Sequence, residues 1–140
     1  MRDSMKTNTQ ARDFGTVKGA PQAWLRLEGA LVFILSILLY GHAGASWWRF
    51  LLLLLVPDVA MAGYWLGAHW GAVCYNGAHS YVVPAALLGI AVVSGQMAWI
   101  PYLLIWSAHI GMDRALGYGL KYPGSFKQTH LSWLGKRLEA

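Results

Sequence analysis

Four apolar runs, separated by short polar turns, make up most of the chain. They cover approximately residues 24–40, 47–66, 72–93 and 97–120. Each run is close to the length of about 20 predominantly apolar residues that an α-helix needs to cross a bilayer. Because the turns are short, neighbouring helices must run antiparallel. The pattern predicts an all-α fold, an integral membrane four-helix bundle, with residues 23–120 as its transmembrane domain.

The two ends of the chain differ from the apolar runs. Residues 1–22 are polar and have no apolar period, which predicts a disordered N-terminal tail. Residues 121–140 begin with the helix-breaking sequence Tyr122-Pro123-Gly124 and form a cytoplasmic amphipathic tail. This tail carries apolar side chains at helical spacing among basic ones, which predicts a short C-terminal interfacial helix, with a frayed tail as the alternative: Phe126, Leu131, Leu134 and Leu138.

Composition and charge agree with a membrane protein and predict its orientation. Hydrophobic residues make up 56% of the chain and charged residues 12%, a balance that water-soluble domains seldom have. All Lys and Arg residues except Arg49 and Arg114 lie near the two ends of the chain. By the positive-inside rule, both termini are expected in the cytoplasm. The same bases are expected to contact anionic lipid headgroups of the bilayer; no nucleic-acid partner is expected, because they form no patch interleaved with aromatic residues.

A few polar and ionisable side chains interrupt the apolar runs, although a charge in hydrocarbon costs about 2.5–3.5 kcal/mol. Counted at about 1.5 Å per residue from the cytoplasmic ends of the helices, they all fall in the inner half of the membrane. Asn76 and His79 share a helix face, and so do His109 and Asp113, because they are three and four residues apart. All four helices thus contribute to one predicted polar layer: Glu28, Asp58, Asn76, His79, His109, Asp113 and Arg114.

The residue types of this layer suit a metal site or acid–base chemistry. Histidine and carboxylate ligands together bind zinc, iron or manganese, and the expected ligands are His79, His109, Asp113 and Asp58. The candidate catalytic carboxyls are Glu28, Asp58 and Asp113. A polar network for the substrate would include Tyr64, Tyr75, Asn76 and Arg114. A haem held by two histidines is disfavoured because it would leave three buried acids unexplained.

Three functions remain open on this evidence. The favoured one is a membrane-embedded enzyme, metal-dependent or acid–base, that acts on a lipophilic small molecule entering from the bilayer. In that case Trp65, Trp106, Tyr64 and Tyr75 are expected to line its cavity. The second is a protein that binds or transports an ion, a proton or a small molecule, which would need a homo-oligomer because four helices enclose only a narrow path. The third is a buried network that only fixes helix register.

The polar residues lie within short motifs: Leu27-Glu28-Gly29, Pro57-Asp58 with Gly63-Tyr64, and Tyr75-Asn76 with His79. A longer motif starts at His109-Ile110-Gly111-Met112-Asp113-Arg114 and continues to Tyr122, with Phe126 and Thr129-His130 beyond it. From about Arg26 to His130 the chain resembles a family of small bacterial membrane proteins known as domain of unknown function 4260. The resemblance implies this fold, this residue set and a multi-pass location in the bacterial inner membrane, but no reaction.

Overall fold

The computed structural model describes residues 15–124 and 126–132. Within them the fold is all-α and has no strand. Its elements follow one another in this order: α1 (Ala20–His42), α2 (Trp47–Leu53), the 3₁₀-helix η1 (Val56–Leu66), α3 (Ala68–Ala78), α4 (Val82–Val93), the short 3₁₀-helix η2 (Met97–Trp99) and α5 (Ile100–Leu116).

Three stretches of the described chain are long and apolar enough to cross a membrane, which is typical of a membrane protein. They are Ala20–His42, Trp47–Leu66 and Ala68–Val93. The fourth predicted run forms η2 and α5 and ends at Leu116, so it is not confirmed as a span. On α1 large apolar side chains point outward over its whole length, as lipid contact requires: Leu27, Leu31, Ile34, Leu35, Leu38 and Leu39.

α1 and α5 pack closely against each other through two glycines. A Cβ atom on Gly111 would lie 2.7 Å from the carbonyl oxygen of Gly29 and 2.7 Å from the amide nitrogen of Phe33. A Cβ atom on Gly29 would in turn collide with the Cβ of Arg114. Small residues allow this approach, which is how helices gain packing energy when lipid removes the hydrophobic driving force. The contact fixes the level of α5 relative to α1.

A buried apolar core fills the end of the bundle remote from the two ends of the described chain. It consists of Tyr40, Phe50, Leu104, Ile105 and Ala108. The rings of Tyr40 and Phe50 meet edge to face at 5.0 Å, and the Tyr40 hydroxyl donates a hydrogen bond to the Ser46 carbonyl at 2.7 Å. The polar layer is therefore separated from this end of the molecule by packed apolar side chains.

The second and third predicted spans are not regular α-helices. The second changes at Leu55, two residues before Pro57, from α2 to the 3₁₀-helix η1. η1 is longer than the single turn that is usual for a 3₁₀-helix. The third was predicted as one helix over 72–93; it begins earlier, at Ala68, and is broken at residues 79–81. Pro84 explains this break, because proline lacks an amide hydrogen and its ring collides with the carbonyl one turn earlier.

α5 ends at Leu116, four residues before the predicted boundary, because Gly117 adopts φ 96°. The amides of Gly117 and Tyr118 donate to the carbonyls of Arg114 and Asp113, which is a Schellman C-cap. Beyond it, residues 117–124 and 126–132 form a C-terminal hairpin, in which the amide of His130 donates to the Leu120 carbonyl at 3.0 Å. The predicted interfacial helix is therefore wrong for these residues; Leu134 and Leu138 lie outside the described residues.

The hairpin also holds the start of the described chain. The amide of Val17 donates to the His130 carbonyl at 2.8 Å, and the Thr16 hydroxyl donates to the Thr129 carbonyl at 3.1 Å. Most of the predicted disordered tail lies outside the described residues, but its last part is ordered, since α1 already begins at Ala20. Both ends of the described chain thus meet at one end of the bundle.

Candidate metal centre

Four side chains from three helical segments converge between η1, α3 and α5. Nε2 of His79 lies 3.2 Å from a carboxylate oxygen of Asp58 and 3.5 Å from one of Asp113. Nε2 of His109 lies 3.5 Å and 3.6 Å from the same two oxygens, and 3.0 Å from Nε2 of His79. All four potential ligand atoms lie within 4.8 Å of one another. We call these residues the His–Asp cluster.

The spacing of the His–Asp cluster is close to that of a metal coordination sphere, with two of the distances slightly shorter. Zinc bonds of about 2.0–2.2 Å in a tetrahedron keep the ligand atoms about 3.3–3.6 Å apart. The five distances given above lie between 3.0 and 3.6 Å. Two imidazoles and two carboxylates are also a chemically suitable set for zinc, iron or manganese. The residues therefore fit a divalent ion in both geometry and chemistry.

The His79 ring is oriented by two contacts on its own helix. Its Nδ1 lies 2.9 Å from the Tyr75 carbonyl oxygen, which can only accept, so Nδ1 carries the proton and Nε2 presents its lone pair to the cluster. The Tyr75 ring stacks on the imidazole with centroids 3.7 Å apart and planes 12° apart. His109 is held differently, because its buried Nδ1 has no hydrogen-bond partner among the described residues.

The break between α3 and α4 brings His79 to the cluster and leaves helix carbonyls without intrahelical partners. Two side chains of α5 supply the missing donors. Trp106 Nε1 donates to the Ala78 carbonyl at 2.6 Å, and Arg114 Nη2 donates to the His79 carbonyl at 3.1 Å. Unpaired carbonyls are expensive in a membrane, so an irregular backbone persists there only where such donors are present. α5 therefore supports the break as well as supplying His109 and Asp113.

The cluster is closed on most sides and open at Asp58. The side chains of His79 and His109 are 2% and 0% exposed and that of Asp113 is 15% exposed, whereas Asp58 is 41% exposed. A cavity of about 420 Å³ lies alongside, lined by apolar side chains of α2, η1, α3 and α5. Its walls include Pro57 and Ala78, which immediately precede Asp58 and His79 in the sequence. The cavity thus lies next to the backbone that carries two of the cluster residues, although no cluster side chain lines it.

The C-terminal hairpin covers the opposite side of the cluster with Lys121. Its buried ammonium lies 4.5 Å from the ring centroid of Tyr75, 5.4 Å from that of Tyr64 and 3.5 Å from that of Phe126, each within range of a cation–π interaction. Asn76 holds the Lys121 backbone from both sides, donating to its carbonyl at 2.8 Å and accepting from its amide at 2.7 Å. Burial lowers the pKa of Lys121, while the charges of Asp58 and Asp113 act in the opposite direction.

The structure places the predicted site residues in three positions. It brings together Asp58, His79, His109 and Asp113, with Tyr75 and Arg114 in direct contact with His79. Asn76 and Tyr64 contact Lys121 instead of the cluster. Glu28 lies outside the cluster, with an exposed side chain on α1. Of the two tryptophans expected to line the cavity, Trp106 does so, whereas Trp65 is exposed.

The sequence analysis does not predict two residues that lie near the cluster. Lys121 was assigned only to the tail, although it lies inside the long motif that begins at His109. Tyr81 lies in the helix break, and its hydroxyl is buried without a hydrogen-bond partner among the described residues. The available signal for Tyr81 was Pro84, three residues later, which marks the break.

Comparison with known proteins gives one match. The family model described as "Domain of unknown function (DUF4260)" matches residues 22–134, which include every residue of the cluster and the whole described hairpin. Neither a curated protein nor a solved structure matches the chain.

Proposed function

The chain belongs to the family DUF4260, and we propose that its His–Asp cluster binds a divalent metal ion in a membrane-embedded enzyme acting on a lipophilic small molecule. The observation that carries this proposal is the convergence of two imidazole nitrogens and two carboxylate oxygens at ligand spacing. Ionisable groups within membrane segments are costly and usually serve a function. Four of them at one point are difficult to explain by helix packing alone.

The cluster has one side from which a substrate can approach. A divalent ion held there would polarise a substrate oxygen or lower the pKa of a bound water. Asp58 borders the opening and is the acid best placed to take or give a proton to a substrate. The apolar walls of the adjacent cavity would hold the lipophilic part of the molecule by excluding water.

The proposed membrane arrangement has four spans, with both termini on the cytoplasmic side of the inner membrane. α5 supports the fourth span, because it packs along α1, a candidate span, from Gly29 to Tyr40. With η2 it covers Met97–Leu116, about 30 Å at 1.5 Å per residue. The first and last described residues lie at one end, where Lys and Arg residues would meet anionic lipid headgroups.

Metal analysis of protein purified in a non-ionic detergent tests the proposal. We expect about one zinc, iron or manganese ion per chain, and loss of that ion in His79→Ala and in His109→Ala. His42→Ala is the matched control, because His42 is exposed at the end of α1, far from the cluster. Retention of full metal content in both cluster variants would refute the metal site.

A second experiment separates an enzyme from a transporter. On the side of His109 remote from the two ends of the described chain, the apolar core around Tyr40 and Ile105 fills the bundle, which disfavours a polar path. We therefore expect turnover of a lipophilic substrate in detergent, where no compartments exist. Ion or proton flux through liposomes, abolished by Asp58→Asn, with no turnover would favour transport instead.

A further inference from the structure

The charges around the His–Asp cluster balance before any metal binds. Asp58 and Asp113 contribute two negative charges, and Arg114 and Lys121 contribute two positive charges next to them. Arg114 contacts the cluster through the His79 carbonyl at 3.1 Å. Lys121 contacts it through the Tyr75 ring, which also stacks on His79. With both histidines neutral and both carboxylates ionised, the metal-free site therefore has no net charge.

A divalent ion disturbs this balance, because its ligands are the two carboxylates that offset the two bases. Neither Arg114 nor Lys121 has a carboxylate within 4.0 Å in the described part of the chain. The site with its metal thus carries an excess of two positive charges in a poorly hydrated environment. Buried charge without a partner is unfavourable, so an anion is needed once the metal has bound.

The surroundings also change in polarity along one direction. The apolar cavity lies beside Pro57 and Ala78, on the side of the cluster toward the buried core. Lys121 lies on the opposite side, among Tyr64, Tyr75 and the hairpin. A molecule that spans the cluster from cavity to hairpin meets first an apolar wall, then the metal ligands, and then a positive charge.

We infer that the ligand of this site is an anionic amphiphile, with a single apolar chain in the cavity and a carboxylate or phosphate head at the metal, facing Lys121 and Arg114. This rests on the proposed function, whose substrate class it names. The metal and the anion then neutralise one another, so each raises the affinity of the protein for the other. Such coupling is reciprocal and typically amounts to about 5- to 150-fold.

Calorimetric titration of Zn²⁺ into metal-free protein in a non-ionic detergent tests this. The additives have the same chain length: dodecanoate, dodecyl phosphate, dodecanol and dodecyltrimethylammonium. We expect at least one anion to raise the Zn²⁺ affinity roughly tenfold, with no increase from the neutral or cationic additive. The anion that acts distinguishes a carboxylate from a phosphate head. Titration of that anion with and without Zn²⁺ should give the same factor.

Three variants assign the effect to the hairpin charge. Lys121→Met should remove most of the anion effect, and Lys121→Arg should retain it. Lys127→Met is the matched control, because Lys127 is an exposed lysine of the same hairpin. If Lys121→Met does not fold, the comparison of the four additives on the unmodified protein still decides whether an anionic amphiphile raises the Zn²⁺ affinity.

The possible results separate the two proposals. Zn²⁺ binding that is equally strong with anionic and neutral amphiphiles overturns the inference and leaves the metal site intact. An anion effect that persists unchanged in folded Lys121→Met overturns the role of the hairpin charge and, with it, the orientation of the head. Absence of Zn²⁺ binding with every additive overturns the inference and the proposed metal site together.

Discussion

Nε2 of His79 and Nε2 of His109 lie 3.0 Å apart, and the Nδ1 proton of His79 is committed to the Tyr75 carbonyl. The lone pair of His79 therefore points at the second imidazole. Two lone pairs at this distance repel each other unless a proton or a cation lies between them. The Nε2 hydrogen of a neutral His109 can fill this position in the metal-free protein, and a divalent cation bound by both lone pairs can replace it.

The first prediction is that a metal ion stabilises the folded protein through this pair. Zn²⁺ at 100 times its dissociation constant should add about 2.7 kcal/mol to the free energy of unfolding. Thermal unfolding in detergent, measured with Zn²⁺ and again after chelation by EDTA, should show a higher Tm with the metal. In His79→Ala the shift should vanish, whereas His42→Ala should keep it; an equal shift in all three proteins contradicts the prediction.

The second prediction concerns the crossing of α1 and α5. Gly111→Ala places a methyl group 2.7 Å from backbone atoms of Gly29 and Phe33, which cannot move aside like the end of a side chain. The helices must separate, which shifts His109 and Asp113 and costs several kcal/mol. We expect a large fall in Tm and loss of metal binding.

Gly77→Ala is the control for the crossing, because a Cβ on Gly77, near the end of α3, would have no atom within 4 Å. It should be neutral or stabilise the protein by up to about 1 kcal/mol, since alanine favours a helix over glycine. Equal effects of the two substitutions on Tm would show that the tight contact at Gly111 does not determine stability.

The third prediction concerns the attachment of the C-terminal hairpin. The side-chain amide of Asn76 forms hydrogen bonds with both the backbone amide and the backbone carbonyl of Lys121. Asn76→Ala leaves these two backbone groups unpaired and should cost about 1–3 kcal/mol. Hydrogen exchange should show lower protection of residues 117–124 and 126–132. Ser94→Ala, which removes the side-chain hydrogen bonds to the Ile90 and Ala91 carbonyls at the end of α4, should leave the hairpin unchanged.

The polar layer could be predicted from the sequence because depth along a helix follows from counting residues, and the cost of burying charge makes such residues conspicuous. Asp58, His79, His109 and Asp113 come together as this reasoning requires. Glu28 shows the limit of the method. It was counted into the same layer, but a helix that is apolar on all sides gives no signal of which face meets its neighbours, and Glu28 is exposed.

The helix break and the role of Lys121 could not be predicted in the same way. The run over 72–93 is predominantly apolar on both sides of the break, so hydropathy does not reveal that the helix divides before Pro84 and that α5 side chains pair the freed carbonyls. Lys121 returns to the cluster only because Gly117 turns the chain and the hairpin folds back. Contacts between residues distant in sequence decide both features.

The fourth prediction is that acid loosens the hairpin through His130. The Leu120 amide donates to Nδ1 of His130 at 2.8 Å, so this nitrogen must be unprotonated in the docked hairpin. Burial and the charge of Arg114, whose Nη1 lies 3.5 Å from both ring nitrogens, lower the pKa of His130 below its ordinary value of 6.5. Protonation would break the hydrogen bond and bring a second positive charge against Arg114.

The sign of the pH dependence follows from the lowered pKa. Below about pH 6.5 the undocked state binds the proton more readily than the docked state does, so acid favours undocking. The contribution of His130 to stability is complete above this pH and is lost as the pH falls toward the docked-state pKa. Protection of the Leu120 amide, corrected for the intrinsic exchange rate, should therefore be lower at pH 5 than at pH 7.5.

Two variants separate His130 from the other groups that titrate in this range. In His130→Asn a side-chain oxygen can accept the bond from Leu120 but does not titrate, so protection should depend much less on pH. His42→Asn removes an exposed histidine at the opposite end of α1 and should leave the pH dependence as it is. Since the carboxylates of the cluster are the same in all three proteins, only the difference between them reports on His130. Identical pH profiles for the three would mean that another group controls the docking of the hairpin.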